Sequence, residues 1–385
     1  MNKSPHPARW GIFQIEHIYT CIEKTRQVMQ LVSQQIRGIW LHQHVVKRFA
    51  YLFCLGTILS VAIAACSGSY SATEPEIKLR LVSFSVTKAA HDQIIPKFVE
   101  KWQKEHNQKV IFEQSYGGSV AQAADVIAGK KEADVVHLAL PLDVIRIQQA
   151  GLIKSSWQMR TPRNAIVSRS VAAIVTREGN PKGIKTWADI AKNDVKLIAA
   201  NPKTSGIGIW ELLAFWGSVT QNGGDEATAI NYITKVYKNT AALTKDAREA
   251  SDLFFQQAQG DVLITYENEV NLAEKTASKL PYVIPDINIS IDNPVAIVDK
   301  NVDKHRTRKV AEAFIDFLYS SEAQREFAKL QYRPVNPTVT QEVASQYPPI
   351  QTLFTAQDLG GWEMIQAKFL ENGAIFDKIQ GDSKA

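Results

Sequence analysis

Residues 195–216 carry strand, turn and helix signals in direct succession, and no other stretch constrains the fold as tightly. Val195–Ala200 is an apolar run of strand length. Asn201-Pro202-Lys203-Thr204-Ser205-Gly206 is a polar turn, and Ile209-Trp210-Glu211-Leu212-Leu213-Ala214-Phe215-Trp216 reads as a helix. The first N–H groups of a helix have no partner within it, and the helix dipole adds partial positive charge there. Such a junction can hold an oxyanion without a charged side chain, and Gly206 lets a ligand approach the backbone closely. Taken alone, the segment is equally what a plain strand–helix connection looks like.

The same alternation runs through the chain from residue 78. Lys78–Ser83, Lys109–Glu113 and Ala133–Leu138 read as strands, and His91–Glu105 carries a helical stripe of Ile94, Ile95, Phe98, Val99 and Trp102. Ser119–Ala128 reads as a small-residue helix, and a long helical pattern covers Thr307–Lys329. Alternation of this kind predicts an α/β fold with mainly parallel sheets flanked by helices. Two β-leaning stretches, Ala165–Thr176 and Ile287–Val298, break the rhythm. They suit a chain that enters a second lobe and returns, so two lobes joined by a two-strand hinge are expected, with a cleft between them. Ligands of such sheets bind at the carboxyl ends of strands, where helices begin.

The first 65 residues differ from the rest. They hold seven Lys or Arg and two acids, which leaves 37 basic and 37 acidic residues beyond them; the net charge of +5 belongs to the leader. A neutral body gives no case for nucleic acid as a partner. Lys47-Arg48, an apolar run from Phe49 and the small-residue box Ile63-Ala64-Ala65-Cys66 form a lipoprotein-type export signal over 45–65. Cys66 is then the first mature, lipid-modified residue, and 66–76 is a tether. Residues 1–44 precede the signal as an extension consistent with a mis-assigned start. The three cysteines are Cys21, Cys54 and Cys66, so the body has no disulfide, thiolate metal site or cysteine nucleophile.

Four turns could face the cleft: 83–87, 116–119, 204–208 and 245–248. Ser119 with Gln122, and Asp246 with Glu249, have the spacing of capping boxes. None of the turns has the spacing of a nucleotide-phosphate loop or a dinucleotide fingerprint. The four body histidines, His91, His106, His137 and His305, match no zinc or triad pattern, so no metal and no cofactor are expected. Glu267 and Glu269, two apart on an expected strand, read as structural groups or a lobe contact and not as an acid–base pair.

From Ile77 to Ile379 the chain resembles the periplasmic sulfate-binding proteins of ABC-type sulfate and thiosulfate importers. The resemblance rests on Gln114–Ser119, Glu132–Val136, Arg177–Lys182, Asn201–Gly206, Gly260–Ile264, Glu267–Glu269, Tyr332–Pro334 and Gly360–Trp362. It implies the two-lobed periplasmic binding protein fold of type II, with 77–166 and about 290–385, including the C-terminal helices, as the first lobe and 167–289 as the second. It implies a monomeric, periplasmic, non-enzymatic protein, lipid-anchored through Cys66, that captures sulfate and delivers it to a membrane permease. The implied sulfate-contacting positions are Ser85, Ser119, Ser205 (through both N–H and hydroxyl), Gly206, Ile207, Ala247 and Tyr266, with Arg248 supporting the local backbone. Three positions depart from the family pattern, which has aspartate, glycine and tryptophan where Ser85, Ile207 and Tyr266 stand. The alternatives are another tetrahedral oxyanion (thiosulfate, molybdate or phosphate), an anion-sensing ectodomain and an exported hydrolase.

Overall fold

β-branched and aliphatic runs become the inner strands of two sheets, and the apolar stripes between them become helices that cover those sheets. A computed structural model of the chain describes residues 76–270 and 280–384, with Arg26 and Met29 alone from the leader. The extension, the export signal and Cys66 lie outside the described residues, as does almost all of the tether.

The first sheet starts with β1 (Glu76–Phe84), followed by helix α1 (Lys88–His106), β2 (Lys109–Gly117), α2 (Ser119–Ile127), β3 (Val135–His137), α3 (Pro141–Gln149) and β4 (Ile166–Ser170). β1 lies between β2 and β3 and runs parallel to both. Ile94, Ile95, Phe98 and Trp102 of α1 are buried, as their spacing requires, and the helix stops at Asn107, whose φ of 47° is left-handed.

After Val171 the chain enters the second sheet as β5 (Ala172–Thr176). There follow β6 (Leu197–Ala200), α4 (Gly206–Thr220), α5 (Glu226–Lys238), β7 (Thr240–Thr244), α6 (Ala247–Ser251), β8 (Val262–Tyr266) and β9 (Tyr282–Val283). The order is β7-β6-β8-β5-β9. Every residue of α4 from Gly206 to Gly217 is buried, as expected of a helix that is apolar all round.

The return is made by β10 (Ile287–Ile289), which passes through Ser290 into β11 (Ile291–Ile297). Helices α7 (Asp299–His305), α8 (Arg308–Leu318) and α9 (Ser321–Lys329) then precede β12 (Arg333–Pro334). The first sheet has the order β12-β4-β11-β3-β1-β2, with β11 antiparallel to β3 and β4. Each sheet is thus mixed: parallel where a strand feeds a helix, antiparallel where the crossing strands enter. The pattern over Thr307–Lys329 forms two helices, because Ser320 interrupts it and caps α9 by accepting from the Ala323 N–H at 3.2 Å.

The chain then crosses a third time. Beyond α10 (Pro337–Glu342), β13 (Thr352–Phe354) pairs with β10, and α11 (Gly361–Ile365) and α12 (Ile375–Lys384) follow. These last helices pack on the second lobe, not the first, which corrects the expected division of the chain. Trp362 meets Trp210 of α4 at 5.2 Å between ring centroids, Phe369 meets Trp216 at 4.9 Å and Phe376 meets Tyr237 of α5 at 5.4 Å. Burying the outer face of α4 needs an apolar cover, and the C-terminal aromatics supply it.

Candidate functional site: an interlobe cradle of helix starts

Five strands, β1 and β2 of the first lobe and β6, β7 and β8 of the second, point their carboxyl ends at one region. Each is followed directly by a turn or helix start. Ser85 opens a short 3-10 turn after β1, and Ser119 opens α2 after β2. Ser205 precedes α4 after β6, Ala247 opens α6 after β7, and Tyr266 ends β8. Ser119, Ser205, Ile207, Ala247 and Tyr266 are all buried. Gly206 lies against Ser119, Ala139 and Leu140 of the first lobe, and the Tyr266 ring lies 5.9 Å from Phe84, the residue before Ser85. A groove of about 740 Å³ between the lobes is bordered by Ser85, Tyr116, Gly117, Asp246 and Arg248. Ser119 and Gly206 thus meet across the lobes, Tyr266 lies beside the end of β1, and Ser85 and Arg248 border the groove.

The lobes touch. The Ala121 N–H donates to the Thr204 carbonyl at 3.2 Å, and the Trp210 indole N–H donates to the Ala139 carbonyl at 2.8 Å. Glu267 receives two hydrogen bonds from Arg333 of β12, at 2.8 and 3.0 Å. Glu267–Val270 is helical, so the expected strand ends at Tyr266, and each of the two carboxylates is held by an arginine.

The turn at 201–206 is built by Asn201. Its carbonyl accepts from Thr204 and Ser205 N–H at 3.0 and 2.8 Å, and its side-chain oxygen accepts from Lys203 N–H at 2.9 Å. This corrects one expectation: the Ser205 amide is already paired, which leaves its hydroxyl as the donor it can offer. Gly206 and Ile207 follow at the first two helical positions, where an N–H has no intrahelical partner.

Ser119 shows the converse. It does not form the expected capping box with Gln122. Its hydroxyl donates to Asp143 Oδ2 at 2.6 Å and accepts from the Ala139 N–H at 2.9 Å, while Gln122 donates to the Ser83 carbonyl at 3.1 Å. Ser119 therefore presents only its amide. Asp246 takes the cap role, accepting from Arg248 and Glu249 N–H at 2.9 and 3.0 Å; the Glu249 carboxylate reaches back to Lys245 N–H at 2.7 Å. Both bonds fall on Asp246 Oδ1, so that oxygen caps its own helix. Arg248, which opens α6 with Ala247, is paired with buried Glu269 at 3.1 Å.

Two carboxyl groups near the cradle were not singled out from sequence. Burial pushes the Asp143 carboxyl up to about 6, opposed by Arg146 at 3.1 Å and by the Ser119 hydroxyl. Glu211 of α4 is fully buried, which raises it well above the usual carboxylate range despite the Ala200 N–H it accepts. The sequence signal for both was a lone acid inside an apolar helical run, Leu142-Asp143-Val144 and Trp210-Glu211-Leu212. Behind β1, His91 Nε2 and His137 Nδ1 lie 3.1 Å apart, and burial depresses both, His91 to about 3, so the pair is neutral. Among the described residues, no cluster of His, Cys, Asp and Glu has the make-up of a metal site.

Residues 79–333 match the family model described as bacterial extracellular solute-binding protein. The chain belongs to that family. A sulfate-binding protein of Synechococcus elongatus is 49% identical over 87% of this chain and 96% of its own. A thiosulfate-binding protein of Pseudomonas aeruginosa is 33% identical, over 83% and 96%. Among solved structures, the sulfate-binding protein SubI from Mycobacterium tuberculosis H37Rv superposes with a TM-score of 0.70 at 31% identity, covering 77% of this chain and all of that one. The family is one of extracytoplasmic binding proteins, not enzymes, and the two-lobed fold is theirs.

Proposed function

We propose that this protein captures sulfate in the interlobe cradle and delivers it to the membrane permease of an ABC importer. The observation that carries the reading is the convergence, from both lobes, of helix-start amides with acids that are either capped, paired or neutralised by burial. Sulfate at neutral pH carries two charges and no proton, so it only accepts hydrogen bonds. Amides at Ser85, Ser119, Gly206, Ile207 and Ala247, with the hydroxyls of Ser205 and Tyr266, offer donors to all four oxygens. Hydrogen phosphate would bring an O–H with no acceptor to meet it, and a buried unsatisfied group is costly. The names borne by the relatives support the same anion.

Segments 165–176 and 287–298 act as hinges in this reading, and an anion bridging the lobes biases the equilibrium toward the closed form by its differential affinity. The protein works as a monomer, held at the membrane by a lipid on Cys66. Calorimetric titration with sulfate, thiosulfate, molybdate and phosphate at pH 5 and pH 8 tests the assignment. The expected order places sulfate first and phosphate last at both pH values. Phosphate binding as tight as sulfate would overturn the donor-only site; tighter thiosulfate binding would transfer the assignment to that anion.

A further inference from the structure

Glycine stands at two positions of the cradle where its own backbone does not need it. Gly118 has φ −62° and ψ 131°, an ordinary extended conformation open to any residue. Gly206 occupies the first turn of α4, where alanine is the better helix former. Neither glycine is explained by the local fold.

The opposite lobe explains both. A Cβ on Gly118 would lie 2.4 Å from the Thr204 carbonyl oxygen and 2.7 Å from that of Lys245, both in the second lobe. A Cβ on Gly206 would lie 2.4 Å from Ala139 Cβ, 2.7 Å from Leu140 Cδ2 and 3.1 Å from Ser119 Cβ, all in the first lobe. At each position the three nearest obstructing atoms belong to the other lobe. Gly208 is different: its obstructing atoms, the Ala200 oxygen at 2.5 Å and the Pro202 nitrogen at 2.6 Å, lie in its own turn. The Thr204 carbonyl that crowds Gly118 also accepts the interlobe hydrogen bond from Ala121.

We propose that Gly118 and Gly206 set the closing distance of the cleft: bare Cα atoms on both sides let the lobes approach until amides from each reach a single tetrahedral anion. A methyl group at either position props the lobes apart. The liganded closed state is lost while each lobe stays folded. The proposal rests on the anion-binding reading above and assigns to these glycines a positioning role in it.

The test compares the full chain with its Gly118→Ala, Gly206→Ala and Gly208→Ala variants. Readouts are thermal unfolding without ligand, calorimetric titration with sulfate, thiosulfate and molybdate, and small-angle scattering with and without anion. Gly118→Ala and Gly206→Ala should unfold within about 2 °C of the parent without ligand, since alanine is accommodated within each lobe. Their anion affinity should fall about 100-fold, the cost of forcing overpacked contacts together. Anion should compact the parent and leave the variants extended. Gly208→Ala should instead lower the unliganded melting temperature. Adding Ala139→Gly to Gly206→Ala removes the nearest obstructing atom and should restore part of the affinity, which no defect confined to the second lobe would do.

A parent that binds none of these anions defeats the functional reading, and this proposal with it. A parent that binds and compacts, with Gly118→Ala binding equally tightly, overturns the closing-distance proposal alone.

Discussion

The turns at Ser119 and Ser205 look alike in sequence, each a small polar loop between strand and helix, yet protein partners take up opposite parts of the two serines. In the first lobe, Asp143 and the Ala139 amide consume the Ser119 hydroxyl, and the main-chain N–H is left. In the second lobe, the Asn201 carbonyl consumes the Ser205 N–H, and the hydroxyl is left. The lesson is that a motif fixes which groups are present, and the neighbours decide which of them is free. Ser119's neighbour lies 24 residues away on another helix; Ser205's lies four residues away in the same loop.

Swapping serine for alanine separates the two roles. Ser205→Ala should weaken sulfate binding about 10- to 100-fold, the usual worth of a hydrogen bond to a charged partner, with little change in unliganded melting. Calorimetry reads this directly, and an affinity change under threefold would return the donor role to the amide. Ser119→Ala should do the reverse. It keeps the amide and leaves Asp143 and the Ala139 N–H without their partner, so unliganded stability should drop by about 1–3 kcal/mol while affinity changes by less than about threefold. Denaturant titration checks the first value, and a large loss of affinity with unchanged stability would put the hydroxyl in the site.

Acidity sharpens the same contrast. The Asp143 carboxyl is raised in the fold to about 6, so the folded state holds a proton that the unfolded chain has lost. The stability this contributes is full below the unfolded pKa, near 4, and disappears as pH rises through 6. A bound dianion beside Ser119 would raise the group further, so sulfate affinity should improve severalfold between pH 7 and pH 5. Asp143→Asn should flatten that profile. An affinity independent of pH in the parent would show that Asp143 does not sense the ligand.

Local signals were legible in sequence where local physics decides them. The strand–helix alternation, the two β-rich crossings and the Asp246 cap all reflect short-range pattern: β-branched runs, apolar periodicity and a carboxylate next to orphan amides. The turns that carry the implied positions follow the carboxyl ends of parallel strands, because strand ends must face one way where a sheet is parallel. What was not legible depended on distant partners. The helices beyond residue 360 carry aromatics that would cover either lobe, and only the outer apolar face of α4, which they bury, selects between them. The helical turn at Glu267–Val270 was hidden because a strand of β-formers runs directly into it. Asp143 and Glu211 escaped notice because what sets their ionisation is how deeply their helices are buried, which depends on distant packing.

The chain changes lobes three times, an odd number. Its first described strand and its last helix therefore end on opposite halves of the hinge, so a donor fluorophore placed before Glu76 and an acceptor placed after Ile379 would ride on different bodies. That parity makes the positions beside Glu76 and Ile379 a natural pair of handles for watching the jaw shut in real time, with no label near the anion.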